Sequence, residues 1–240
     1  MGLSDIISDS VKYPFSDIQT FLIVGVFSLL AGLSNLLSVS YGVDGVGILA
    51  IASIVGLIFA LILSGYCLKV VKNAIDYSDA LPEFDFVNDL INGIKVLIIS
   101  IVYFIIPLII AILFAGVGGL IGASIDHLAA SLGFALIIVA IIAIIFAIFE
   151  IVALARFANT GQMGDAFSFG EIFEDIKKIG IGRIIGFLLV AIVVMLIAFA
   201  ISLAFAMIPF VGIIIADIVL GAFVLLFYNR GIGLLYAEAL

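Results

Sequence analysis

Six stretches of this chain are long enough and apolar enough to cross a lipid bilayer as helices. They run over about 20–39, 46–67, 94–115, 133–155, 184–207 and 210–228. A helix rises about 1.5 Å per residue and the hydrocarbon core is about 30 Å thick, so roughly 20 apolar residues span it. In hydrocarbon every backbone N–H and C=O must be paired within the protein, which leaves helices and closed β-barrels as the spanning structures. Barrel strands alternate polar and apolar residues, and these stretches do not alternate. The composition agrees, with 66% of residues hydrophobic and 11% charged. The expected fold is all-α: a helical integral membrane protein, one membrane domain over residues 1–240, with six transmembrane helices.

The basic residues orient the spans. Lys12 precedes the first, and Lys69, Lys72 and Lys95 flank the loop between the second and third. Arg156, Lys177, Lys178 and Arg183 flank the loop between the fourth and fifth, and Arg230 follows the sixth. All nine therefore share one side, and none lies in the opposite loops at about 40–45, 116–132 and 208–209. The positive-inside rule then places both termini in the cytoplasm, with the protein in the cell membrane. The net charge is −8. Apart from Glu150 and Asp217 within spans and Asp44 and Asp126 outside, the acids share the basic side and leave it mildly acidic. That composition excludes a polybasic clamp for anionic lipid or nucleic acid. The leading "MGLSDIISDS" is too acidic for a cleavable signal, and Ile6 stands where myristoylation needs Ser or Thr. The single Cys67 excludes an intrachain disulfide and reads as a small apolar residue.

The two cytoplasmic loops resemble each other. Lys72-Asn73-Ala74 aligns with Arg156-Phe157-Ala158, and Phe84-Asp85-Phe86 with Phe167-Ser168-Phe169. This spacing carries about 46–115 onto 133–207 as a parallel repeat, because two spans per unit preserve orientation. Residues 1–39 and 208–240 would complete a third unit split between the termini, with Arg230 in the place of Lys72 and Arg156. Each loop is expected to hold a short amphipathic helix lying at the membrane surface. In the first copy Asp85 is the cap, and Val87, Leu90, Ile91 and Ile94 line one face. In the second, Ser168 and Glu171 have capping-box spacing, with Phe167 and Ile172 placed as a hydrophobic staple. Ile172, Phe173, Ile176 and Ile179 then form the apolar stripe. Phe84, Phe86, Phe167 and Phe169 are read as interfacial anchors. The plain interpretation makes these helices connectors; the other makes them a docking face for lipid or a protein partner.

A basic residue after a span, "LPEFD", the second copy "AFSFGEI" and the C-terminal "RGIGLLYAEA" together resemble the archaeal family designated domain of unknown function 4013. The resemblance extends over nearly the whole chain. It implies an archaeal membrane protein and implies no reaction.

Enzyme signatures are absent. His127, beside Asp126 in "AGVGGLIGASIDHLAAS", is the one histidine, so no second imidazole completes a metal site. The chain has no HExxH, and its glycines at 116–122 do not follow a strand, which removes the zinc-protease and phosphate-loop readings. No cofactor is expected. Two carboxylates lie inside spans, where insertion costs about 2.5–3.5 kcal/mol and the group usually faces a partner or water. Asp217 is the candidate proton or cation site. Glu150, six residues before Arg156, is expected to snorkel and pair with a base on a neighbouring helix. Small residues recur every fourth position at Ala52, Gly56, Ala60 and Ser64, and at Ala198, Ser202 and Ala206. Both stripes predict close helix packing, within one chain or between copies in a homo-oligomer. Pro107 predicts a kink in span three, and Pro209 a tight turn before span six. The function expected is non-enzymatic: a membrane scaffold or accessory subunit. The alternative is a small transporter or channel for protons, cations or an apolar solute, built on Asp217.

Overall fold

The computed structural model describes residues 1–41, 45–121, 125–208 and 211–240, with the backbone alone for 39–41, 114–121 and 125–136. Asp44, the loop residues around Asp126 and His127, and Pro209 lie outside the residues whose side chains are described. The elements run α1 (Leu3–Lys12), a 3-10 turn (Tyr13–Phe15), α2 (Ile18–Ala31), α3 (Leu33–Tyr41), α4 (Val46–Ile75), α5 (Phe86–Ile121) and α6 (Ile125–Thr160). A second 3-10 turn (Met163–Phe167) follows, then α7 (Phe169–Ile179), α8 (Ile181–Phe205), α9 (Val211–Ala216), a π-helical turn (Asp217–Gly221) and α10 (Ala222–Ala237). No strand occurs among the described residues.

Five helical stretches have the length and apolarity to cross a membrane: Val46–Ile75, Phe86–Leu113, Ile137–Thr160, Ile181–Phe205 and Val211–Ala237. The first predicted span differs. It consists of α2 and α3, which part at Gly32. Ahead of it α1 and its 3-10 turn bend by 88° from α2, so a sixth span is counted when that bent pair is taken together. The protein is a helical membrane protein with five or six such spans.

Helix α4 lies at the centre, touching α2, α3, α5, α6 and α10. Its contact with α5 is backbone on backbone. A Cβ added at Gly65 would fall on the Asp89 carbonyl oxygen, and one at Gly93 on that of Leu61. Packing is densest at the base-rich end, where Val71, Ala74, Ile99, Ala153, Ile172, Phe187, Phe227 and Leu234 form one buried cluster. Toward the other end Ile109, Ile112 and Leu113 on α5 and Leu196, Phe199 and Leu203 on α8 are exposed. Side chains of this kind are at home against lipid tails.

Two expectations about the loops change. The first interfacial helix is not separate, because α5 runs unbroken from Phe86 through Pro107 to Ile121. Val87, Ile91 and Ile94 are exposed on its opening turns. The second, α7, does stand apart, closed by Gly180 at φ 89°. Its stripe, however, faces protein: Ile172, Ile176 and Ile179 are buried in the main core, and Phe173 is exposed.

Candidate functional site

A cavity of about 740 Å³ lies among α4, α5, α6, α8 and the segment from α9 to α10. Helix α10 and the π-turn supply one continuous wall: Asp217, Gly221, Val224, Leu225, Tyr228, Asn229 and Ile232. Steps of three and four residues keep these positions on one face. From Asp217 to Asn229 that wall extends about 18 Å along the helix. Helix α6 contributes Ala147, Glu150, Ile151 and Leu154, again one face. Ser64, Cys67, Leu68 and Val71 come from α4, and Met195, Ala198, Phe199 and Ser202 from α8.

Both intramembrane carboxylates therefore line the same space. Asp217 opens the π-turn, a wider turn that recurs at functional positions in helices. The turn packs on α2, where Gly25 has no side chain and lies against the Ile218 carbonyl. Glu150 does not pair with a base as its position predicted. The nearby Arg156 is engaged elsewhere, and among the described residues Glu150 and Asp217 take part in no ion pair. No Lys or Arg lines the cavity. The mouth lies between α6 and α8, because Met195, Phe199 and Ala147 are lining residues and are also exposed.

The small-residue stripes divide. On α4, Ala52 is buried and Gly56 meets the Ala31 carbonyl of α2, whereas Ser64 faces the cavity. On α8, Ala198 and Ser202 line the cavity and Ala206 is exposed, so that stripe leaves room and does not seat a helix. Tyr228 and Asn229 are polar lining residues that sequence reasoning passed over. Their offsets of 11 and 12 from Asp217 were the available signal.

Below the cavity, a layer of ion pairs joins α4 to α5, α6 to α7, and α10 to α1 and the loop after α4. Lys69 on α4 pairs with the fully buried Asp89 on α5 at 2.8 Å. Arg156 on α6 pairs with Asp175 on α7 at 2.8 Å and also meets Glu171, while the Tyr236 hydroxyl donates to Asp175 at 3.0 Å. Arg230, 1% exposed, donates to Asp9 at 2.6 Å, to Asp79 at 3.0 Å and to the Ser78 carbonyl, and stacks on Tyr13 at 4.4 Å. The Tyr13 hydroxyl donates to the Ala80 carbonyl at 3.1 Å. Lys72, aligned above with Arg156, instead reaches Asp76 and Asn159, and Lys69 holds the acid of the following helix.

The caps also diverge. Asp85 precedes α5 and accepts from the Asn88 N–H at 3.2 Å, and the Asp89 carboxylate accepts from the Asp85 N–H at 2.8 Å. Ser168 precedes α7 but makes no side-chain cap bond, and Glu171 is drawn away to Arg156, so the expected capping box does not form. Phe84 stacks on Tyr66 at 4.1 Å between ring centroids, and Phe167 packs on the main core. Phe86 and Phe169 are exposed.

Over 236 residues the chain is 25% identical to the uncharacterized protein MJ1189 of Methanocaldococcus jannaschii, covering 86% of this chain and 80% of that protein. No solved structure matches. The family match spans residues 48–210, so the C-terminal "RGIGLLYAEA" falls outside it. The chain belongs to the family described as protein of unknown function DUF4013.

Proposed function

We propose that this protein is a membrane-embedded carrier that binds a small amphipathic cation between its helices. The observation that carries the reading is that Glu150 and Asp217 line one cavity of about 740 Å³ whose wall is otherwise largely apolar and contains no base. Ligand sites typically measure about 300–1,000 Å³ and combine apolar walls with a few placed polar groups. Two carboxylates in such a wall favour a positive ligand, and the aromatic residues Tyr228 and Phe199 suit its apolar body and its charge. A mouth between α6 and α8 admits a ligand already dissolved in the bilayer. The scaffold role expected from the loops has less surface to use, since α7 already buries Ile172, Ile176 and Ile179.

Ethidium, an aromatic cation that crosses bare bilayers slowly, tests the proposal by fluorescence anisotropy with the purified full-length protein. Binding should be saturable. Asp217→Asn and Glu150→Gln should each weaken it by about tenfold, the loss of one charge-assisted contact. Wild-type protein that does not bind, or a double variant that binds equally well, would refute the carrier reading.

A further inference from the structure

A second cavity of about 300 Å³ lies between α5 and α6, lined by Tyr103, Pro107, Ala143 and Phe146 among others. Among the described residues, Ala147 and Glu150 line both cavities. Glu150 therefore stands on α6 where the two spaces meet.

The second cavity has its own polar feature. Pro107 lies within α5 and has no N–H, so the carbonyl four residues earlier, that of Tyr103, loses its helical donor. Tyr103 and Pro107 both line this cavity. The Tyr103 hydroxyl is occupied, donating to the Ala166 carbonyl at 2.8 Å. A backbone carbonyl released inside a membrane needs a new partner, and cation sites in transporters are commonly built from such carbonyls. Phe104 and Leu108, also on this cavity's wall, are exposed at the surface of the bundle, so the second cavity opens between α5 and α6.

We propose that the two cavities form one route, with Glu150 as the exchange point and the Tyr103 carbonyl as the acceptor beyond it. The cation enters from the α6–α8 side, is held at Asp217 and Glu150, and leaves past Pro107 between α5 and α6. Glu150 stays in contact with it through the transfer, so the charge is accompanied across the neck. This route rests on the carrier reading above.

The experiment separates binding from passage. Full-length protein is reconstituted into liposomes enclosing DNA, and ethidium entry is followed by fluorescence, beside the equilibrium binding measured in detergent. Pro107→Ala restores the N–H that occupies the Tyr103 carbonyl, and alanine suits a helix better than proline, so this variant is expected to fold. Ala143→Phe fills the second cavity. Both should bind ethidium within about twofold of wild type and carry it at least about tenfold more slowly. Ile144→Phe, at an exposed neighbouring position, should change neither quantity. If both variants carry at the wild-type rate while Asp217→Asn does not, the route is wrong and the carrier stands. Wild-type protein that binds but does not carry also overturns the route. If it neither binds nor carries, the route and the carrier reading fall together.

Discussion

At the scale of single residues, Arg230 is the most consequential side chain outside the cavity. A guanidinium 1% exposed is tolerable only while its partners remain. Asp9→Ala should destabilise the protein by about 3 kcal/mol, near the lower end for breaking a buried pair, because Ser78 and Asp79 still accept from Arg230. Adding Arg230→Met should recover part of that loss, and thermal unfolding in detergent measures both. The two caps make a sharper contrast. Ser168→Ala should be close to neutral, since its hydroxyl caps nothing, while Asp85→Ala should lower the melting temperature. The Asn88 side chain and N–H hold the Asp85 carboxyl below its ordinary range. Its contribution is therefore complete above the unfolded value of about 3.9 and is lost as pH falls through the lower folded value. A melting-temperature profile from pH 6 down to 3 should begin to lose that increment in wild type and show none to lose in Asp85→Ala. Sequence spacing marked both positions as caps, but it could not show Arg156 drawing Glu171 away from the box.

At the scale of helices, five of the six apolar stretches were legible as spans because lipid enforces them, but their ends were not. Helix α4 continues to Ile75 and α5 begins at Phe86, each about two turns beyond its apolar run. Polar residues such as Lys69 and Asp89 sit in those turns and are paired with each other, so hydropathy falls while the helix goes on. The cavity was half legible. Asp217 and Glu150 stood out as charges in apolar runs, whereas their convergence depends on how α6 and α10 face each other, which one sequence does not specify. The break between α7 and α8 is a local matter of backbone. Gly180 holds φ 89°, where a side chain is strained. Gly180→Ala should cost about 1–3 kcal/mol, read as an earlier thermal transition, even though no atom lies where the new Cβ would go. An unchanged transition would show that α7 and α8 can join differently.

At the scale of the whole molecule, the fold is asymmetric from end to end. Ion pairs and buried side chains concentrate at the base-rich end, and the spans present apolar side chains toward the other. If the positive-inside rule applies, the tight end faces the cytoplasm. An Asp76→Cys variant in a Cys67→Ser background should then react with an impermeant maleimide in inside-out vesicles and resist it in right-side-out ones. The reverse pattern would invert the topology. Within that tight end, α4 and α5 cross with nothing between their backbones at Gly65 and Gly93. Most lipid-facing positions of such a protein are interchangeable among Ile, Leu and Val, so they can drift through evolution without consequence. These two glycines have no neutral neighbour in sequence space. Every single substitution at either one forces the two helices apart before it can add anything. A lineage could leave them only by rebuilding the crossing itself.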